Sequence, residues 1–296
     1  MTQDILESKV AFKCAGDNFE AIPKNIVEEN GICFPVAHTN KEDISLLARK
    51  LKDYRKDSIC RIPFCATVEA EAIGANIKLG DEKTGPRVDS YVYSSIEELE
   101  NIKEIDLNKG RIEEVLCAVE DIKKHGEIVC LNVEGPFTII SSLVDPMIFY
   151  RGIRKNRDIV DNFIKVIEDS TVKYMLEGIK RGADIISFAD PAGAMDIVGP
   201  KMYKDVSGKI SLNILKKVQP FLNNSIIHLC GKTSTAFEQL GFCESAPIEF
   251  DENLTYGQAL LKLLEQNNDI KIIGHWCIKR TPIKKRESVI WRINLK

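Results

Sequence analysis

An α/β fold in which parallel strands close into a TIM-type (β/α)8 barrel is what this sequence predicts, on three observations. Short apolar runs that end in Gly, Pro, Asp or a special polar residue alternate with longer amphipathic stretches, which is the signature of repeated β-α units around a parallel sheet. No G-x-G-x-x-G or G-x-x-x-x-G-K phosphate loop follows any of these runs, whereas a doubly wound open sheet usually carries one. No Pro- or Ser-rich linker, low-complexity segment or short-period repeat interrupts the 296 residues. One domain over 1–296 is therefore expected, with its active site at the carboxyl ends of the strands.

The expected strands, in order, are VAFKCA (10–15), SICRIPF (58–64), EIVCLNV (127–133), DIISFA (184–189), SIIHLC (225–230), PIEF (247–250) and KIIGHWC (271–277). Helices fall between them. The stretch 158–182 carries Ile159, Phe163, Val166, Ile167, Met175 and Ile179 at helical spacing, and Gly182 marks its end. NLTYGQALLKLLEQNN (253–268) sets Leu260, Leu261 and Leu264 on one side of a second helix.

A chain that is 44% hydrophobic and 29% charged can bury a full core. No run of about 18 apolar residues occurs and the start MTQDILESKV has no apolar signal stretch, so a cytoplasmic protein without a membrane segment is expected. The net charge of −3 argues against nucleic acid as a partner. The basic tail, with Lys279, Arg280, Lys284, Lys285, Arg286, Arg292 and Lys296 against Glu287, reads as a solvated end. Nine cysteines, an odd number scattered through apolar stretches, do not make a disulfide scaffold. A functional cysteine has to be singled out by its neighbours.

Two segments do this. Alternate side chains of a strand share a face, so His228 and Cys230 in IIHLC point together at the carboxyl end of their strand, just before Gly231. The same H-x-C construction recurs at His275-Trp276-Cys277, and the parity rule turns both members of that pair inward as well. Imidazole with thiolates suits zinc, which accepts nitrogen and sulfur in a tetrahedron. His228, Cys230 and Cys277 would leave one position open, as in a catalytic site. Adding His275 would close it, and Asp251 is a further contender for that position. Cys243 precedes its strand and belongs to the opposite mouth.

At these residues the chain resembles the zinc-dependent methylcobamide:coenzyme M methyltransferases, a branch of the uroporphyrinogen decarboxylase-like superfamily. The motifs that carry the resemblance are FPVAHTN (34–40), PFCATVEAEAIGANI (63–77), EGPFT (134–138), GADIISFADPAGAMDIVGP (182–200) and IIHLCG (226–231). The resemblance implies a β/α barrel and a zinc held by the H-x-C pair plus a late cysteine followed closely by Thr-Pro. Here Thr281-Pro282 follows Cys277. It also implies transfer of a methyl group from a methylated corrinoid, either free methylcobalamin or a corrinoid protein, to a zinc-activated small thiol. His38, Glu69, Glu71, Glu134 and Asp190 lie in the matching blocks and are expected to orient the acceptor, the corrinoid or a zinc ligand.

The chain departs from the family pattern in two places. The connection from Cys230 to Cys277 is about one β-α unit short, so a strand is expected to be missing or replaced there. The segment after Thr-Pro runs IKKRE rather than continuing with Glu-Asn. No arginine precedes Arg49, which disfavours decarboxylation of a polycarboxylate porphyrinogen. The rival reading is a corrinoid- or tetrapyrrole-binding protein with a structural zinc or no catalysis.

Overall fold

The computed structural model describes residues 22–251, 253–266, 269–284 and 289–296. The expected strand over 10–15 lies outside them. The others form in place as β1 (Cys60–Ile62), β4 (Val129–Glu134), β5 (Ile185–Ala189), β6 (Ile226–Cys230), β7 (Cys243–Glu249) and β8 (Ile272–Trp276). Three strands were not expected: a small antiparallel hairpin, β2 (Asn76–Lys78) with β3 (Arg87–Ser90), and β9 (Val289–Leu295).

The main sheet runs β1-β4-β5-β6-β8-β9-β7. Its first five strands are parallel, and β9 then pairs antiparallel with both β8 and β7. The α/β class and the mostly parallel sheet follow the alternation in the sequence. In the shortened C-terminal part, a returning strand drawn from the basic tail fills the place of a β-α unit. β1 and β7 end the sheet and are not paired with each other among the described residues.

Strand parity sorts the side chains cleanly. Cys60, Ile62, Val129, Leu131, Val133, Ile186, Phe188, Ile227 and Leu229 face the outer helices and join the largest hydrophobic cluster. That cluster also holds Phe163, Ile167, Tyr174 and Met175 of the helix Arg157–Lys180, which ends before Gly182 at φ 102 as its sequence predicts.

The alternate residues Ile59, Cys130, Ile185, Ile226 and Ile273 form a second buried cluster on the opposite, inner face. What packs on them is the helix Tyr256–Glu265, through Tyr256, Ala259, Leu260 and Leu263. It starts at a Thr255/Gln258 capping box. The start is pinned to two segments distant from each other in sequence. Tyr256 N and Gly257 N donate to the carbonyls of Ile283 and Thr281, and the buried Thr281 hydroxyl donates to Asp57 at 2.6 Å. A Cβ at Gly257 would stand only 3.1 Å from Asp57 Oδ1 and from the Thr281 carbonyl. One function of the Thr281-Pro282 turn is thus to seat this inner helix.

Candidate active site

Above the apolar inner layer, the same parity brings up Arg61, Asn132, Ser187 and His228, and one step further Pro63, Glu134, Ala189 and Cys230. These line a cavity of about 300 Å³ at the carboxyl ends of the strands, together with Cys65, Asp190, Lys232, Cys277 and Lys279. His228, Cys230 and Cys277 therefore share one cavity. His228 is fully buried, while Cys230 and Cys277 are half-buried. Nε2 of His228 lies 3.1 Å from the Tyr256 hydroxyl, with the two rings edge to face. Burial, and then the charge of Cys277, push the Tyr256 phenol well above its ordinary pKa. Among the described residues, no three His, Cys, Asp or Glu side chains already stand within reach of one metal ion.

The second H-x-C pair does not keep strand parity. His275 has a left-handed backbone, φ 58, next to a register shift between β6 and β8. The reversal sends its ring outward onto the helix Gly231–Gln239. There Nε2 lies 3.1 Å from Glu238, Nδ1 is 3.3 Å from Thr235, and the backbone N–H donates to Ser234 at 2.8 Å. Gly274 permits this close passage, since a Cβ there would sit 2.7 Å from that of Ser234. The inward reading of His275 is thereby corrected, and Cys277 alone of the pair reaches the cavity. Asp251 is exposed and accepts from Asn253 in a turn. Cys243 opens β7, buried in the outer cluster and absent from the cavity wall.

Of the five residues expected to make substrate or cofactor contacts, two stand on the cavity wall. Glu134 and Asp190 line the cavity. Asp190, however, is occupied at the start of the helix Pro136–Leu143: its Oδ1 accepts from Thr138 N and Oγ1, and its Oδ2 from Phe137 N. Gly135 and Gly193 leave room for it, since a Cβ on either would fall within 2.4 Å of its side chain. Burial nevertheless holds its carboxyl above the ordinary value, against the pull of those hydrogen bonds. Asp190→Ala strands two helix N–H groups and a hydroxyl, and should cost about 3 kcal/mol in urea unfolding. A loss below about 0.5 kcal/mol would mean that water replaces the carboxylate.

Glu69 and His38 stand behind the wall. Glu69 is 1% exposed; Oε1 accepts from Glu134 N at 2.9 Å and Oε2 has no partner among the described residues. Burial lifts its carboxyl to about 7. Folding therefore retains a proton that the unfolded chain releases above about pH 4.3. The resulting stability is complete below that value and is lost as pH rises through about 7, a span worth roughly 4 kcal/mol. In Glu69→Gln this slope should vanish, as read from urea midpoints between about pH 5 and pH 8; an unchanged slope would assign it to another group.

His38 acts in the opposite sense. Burial, then Arg111, lower its pKa to about 4, so its contribution is lost as pH falls through that value. Arg111 is the buried hub of this region, donating to Thr67 at 2.8 Å and to Cys65 Sγ at 3.2 Å, and paired with Glu71.

Sequence reasoning missed several cavity residues. Arg61 was within reach of the parity rule, being flanked by the inward Ile59 and Pro63, and Lys232 directly follows the first H-x-C-G. Lys279 was assigned to a solvated tail, yet it lines the cavity. Nothing local marks Tyr256, whose place depends on which face of the sheet its helix covers.

The uroporphyrinogen decarboxylase (URO-D) family pattern matches residues 20–277. The chain belongs to this family. Among its relatives, methylcobamide:CoM methyltransferase MtbA of Methanosarcina acetivorans is 26% identical over 211 residues, or 70% of this chain and 62% of that protein. Methylcobamide:CoM methyltransferase MtaA of Methanosarcina barkeri (strain Fusaro) is 25% identical over 267 residues, 86% of this chain and 78% of that one. The match to MtbA thus spans less than two thirds of that enzyme. In the fold comparison, a methyltransferase from Methanosarcina mazei superposes with a TM-score of 0.64 at 21% identity, covering 88% of this chain and 86% of the other. At that identity the likeness concerns the fold alone.

No helix among the described residues is long and apolar enough to cross a membrane.

Proposed function

We propose that this member of the URO-D family is a zinc-dependent methyltransferase that moves a methyl group from a methylated corrinoid to a small thiol. The observation that carries the reading is that His228, Cys230 and Cys277 line one cavity at the carboxyl end of the sheet, in a chain similar to two methylcobamide:CoM methyltransferases. One imidazole and two thiols are a donor set that zinc favours over harder cations. These three residues would hold the ion, with side-chain adjustment around the cavity drawing them together.

Bound zinc lowers the pKa of a coordinated thiol, so that a nucleophilic thiolate exists near neutral pH. The chain's own part is placement. The apolar floor built on the inner helix keeps water from beneath the site, and the lysines on the wall would favour an acceptor whose anionic group, beside its thiol, displaces Asp196 from Lys232, its partner at 2.7 Å. In the transfer, the sulfur–methyl bond forms as the cobalt–carbon bond breaks, and that electron pair stays on the corrinoid. Glu134 lines the same cavity with its backbone fixed by Glu69, a position from which it can orient acceptor or donor.

The test is a screen of small thiols, with and without an anionic group, against methylcobalamin in the zinc-loaded protein, following loss of the cobalt–carbon bond optically. Turnover with an anionic thiol is expected. Zinc binding without turnover of any thiol would leave the corrinoid-binding reading in its place.

A further inference from the structure

The inner helix brings a residue with no assigned role up to one member of the proposed donor set. Tyr256 is fully buried, and its hydroxyl lies 3.1 Å from His228 Nε2. Its ring is held edge to face between His228, at 5.8 Å between centroids, and Trp276, at 6.1 Å. The backbone at this point is tied down by Ile283, Thr281 and the tight passage of Gly257. A hydroxyl fixed this firmly next to one donor has little freedom to serve elsewhere.

A neutral phenol has one proton to give and lone pairs to accept with. A histidine that holds a metal through one ring nitrogen commonly donates the other N–H to a fixed acceptor, which sets its tautomer and ring orientation. Tyr256 is placed to supply that acceptor.

We infer that Tyr256 is a positioning residue of the metal centre: its hydroxyl accepts the His228 Nε2–H, which leaves Nδ1 as the metal donor. This rests on the zinc reading above. It adds that the fourth position is not supplied by Tyr256, so the site stays open for a substrate thiol.

Tyr256→Phe tests it, because the variant keeps the ring and its packing and removes only the hydroxyl. Wild type and variant are loaded with Co2+ as a spectroscopic stand-in for zinc, and zinc affinity is measured by competition with a chromophoric chelator. The wild type should bind Co2+ with sulfur-to-cobalt charge-transfer bands. Tyr256→Phe should keep those bands but shift them, and should lose about 10–100-fold in zinc affinity.

The 15N spectrum of the His228 ring in the metal-free wild type should show the proton on Nε2, and Tyr256→Phe should move that resonance. Equal affinity and unchanged bands in a folded variant would overturn the role of Tyr256 and leave the zinc site standing. Absence of any metal binding by the wild type would overturn both together. A His228 proton found on Nδ1 would overturn the inference by itself.

Discussion

Cys277→Ala is expected to release zinc and to slow methyl transfer to a thiol by about a thousandfold or more, equivalent to roughly 4 kcal/mol of barrier. Removing one thiolate leaves an imidazole and a single sulfur, too few protein ligands for a tight zinc site. Cys277 is half-buried on the cavity wall, so the deletion removes a donor without opening a void in the core. Cys243→Ala is the matched control: that thiol is buried in the outer cluster, and its loss should leave zinc content and turnover unchanged. Zinc measured by atomic absorption after gel filtration, together with the optical methylcobalamin assay, reads both quantities. Retention of both by Cys277→Ala would remove it from the donor set.

The second large effect concerns stability. Leu260→Ala should cost about 3 kcal/mol, within the range for a fully buried leucine whose neighbours cannot close the gap. Leu260 is fully buried in the inner cluster with Ile185, Ile226, Ile273 and Ile290 of four strands. The same helix carries Tyr256 up to His228. The loss should therefore be accompanied by weaker zinc binding, although Leu260 lines no part of the cavity. Lys262→Ala, on the exposed side of the helix, should change neither. If Leu260→Ala were near neutral in urea unfolding, the helix would not be packed on the sheet's inner face.

These two outcomes depend on different parts of the chain, and the sequence disclosed them unequally. His228 and Cys230 were legible because β6 is regular: parity alone places Ile226, His228 and Cys230 on one face, as found. Parity failed four residues into β8, where the left-handed His275 turns its ring outward. Such a reversal in a non-glycine residue leaves no local trace, because the space made by Gly274 against Ser234 is a tertiary fact.

The inner helix was recognisable by its periodicity, but an amphipathic pattern does not say which face of a sheet it will cover. β9 was overlooked for a related reason. Val289, Ile290, Trp291 and Ile293 are buried, yet they follow a run of basic residues that made the end of the chain read as solvated. Asp190 was correctly picked as a polar strand end, but its use as a helix cap depends on Gly135 and Gly193 passing beside it.

On the proposed reading His228, Cys230 and Cys277 form one metal site, and X-ray absorption at the zinc edge of the loaded protein tests this. Two sulfur scatterers at about 2.3 Å and one imidazole nitrogen at about 2.0–2.1 Å are expected, with a further light atom that gives way to a third sulfur when the acceptor thiol is added. A first shell of nitrogen and oxygen only, or one that no thiol alters, would contradict it.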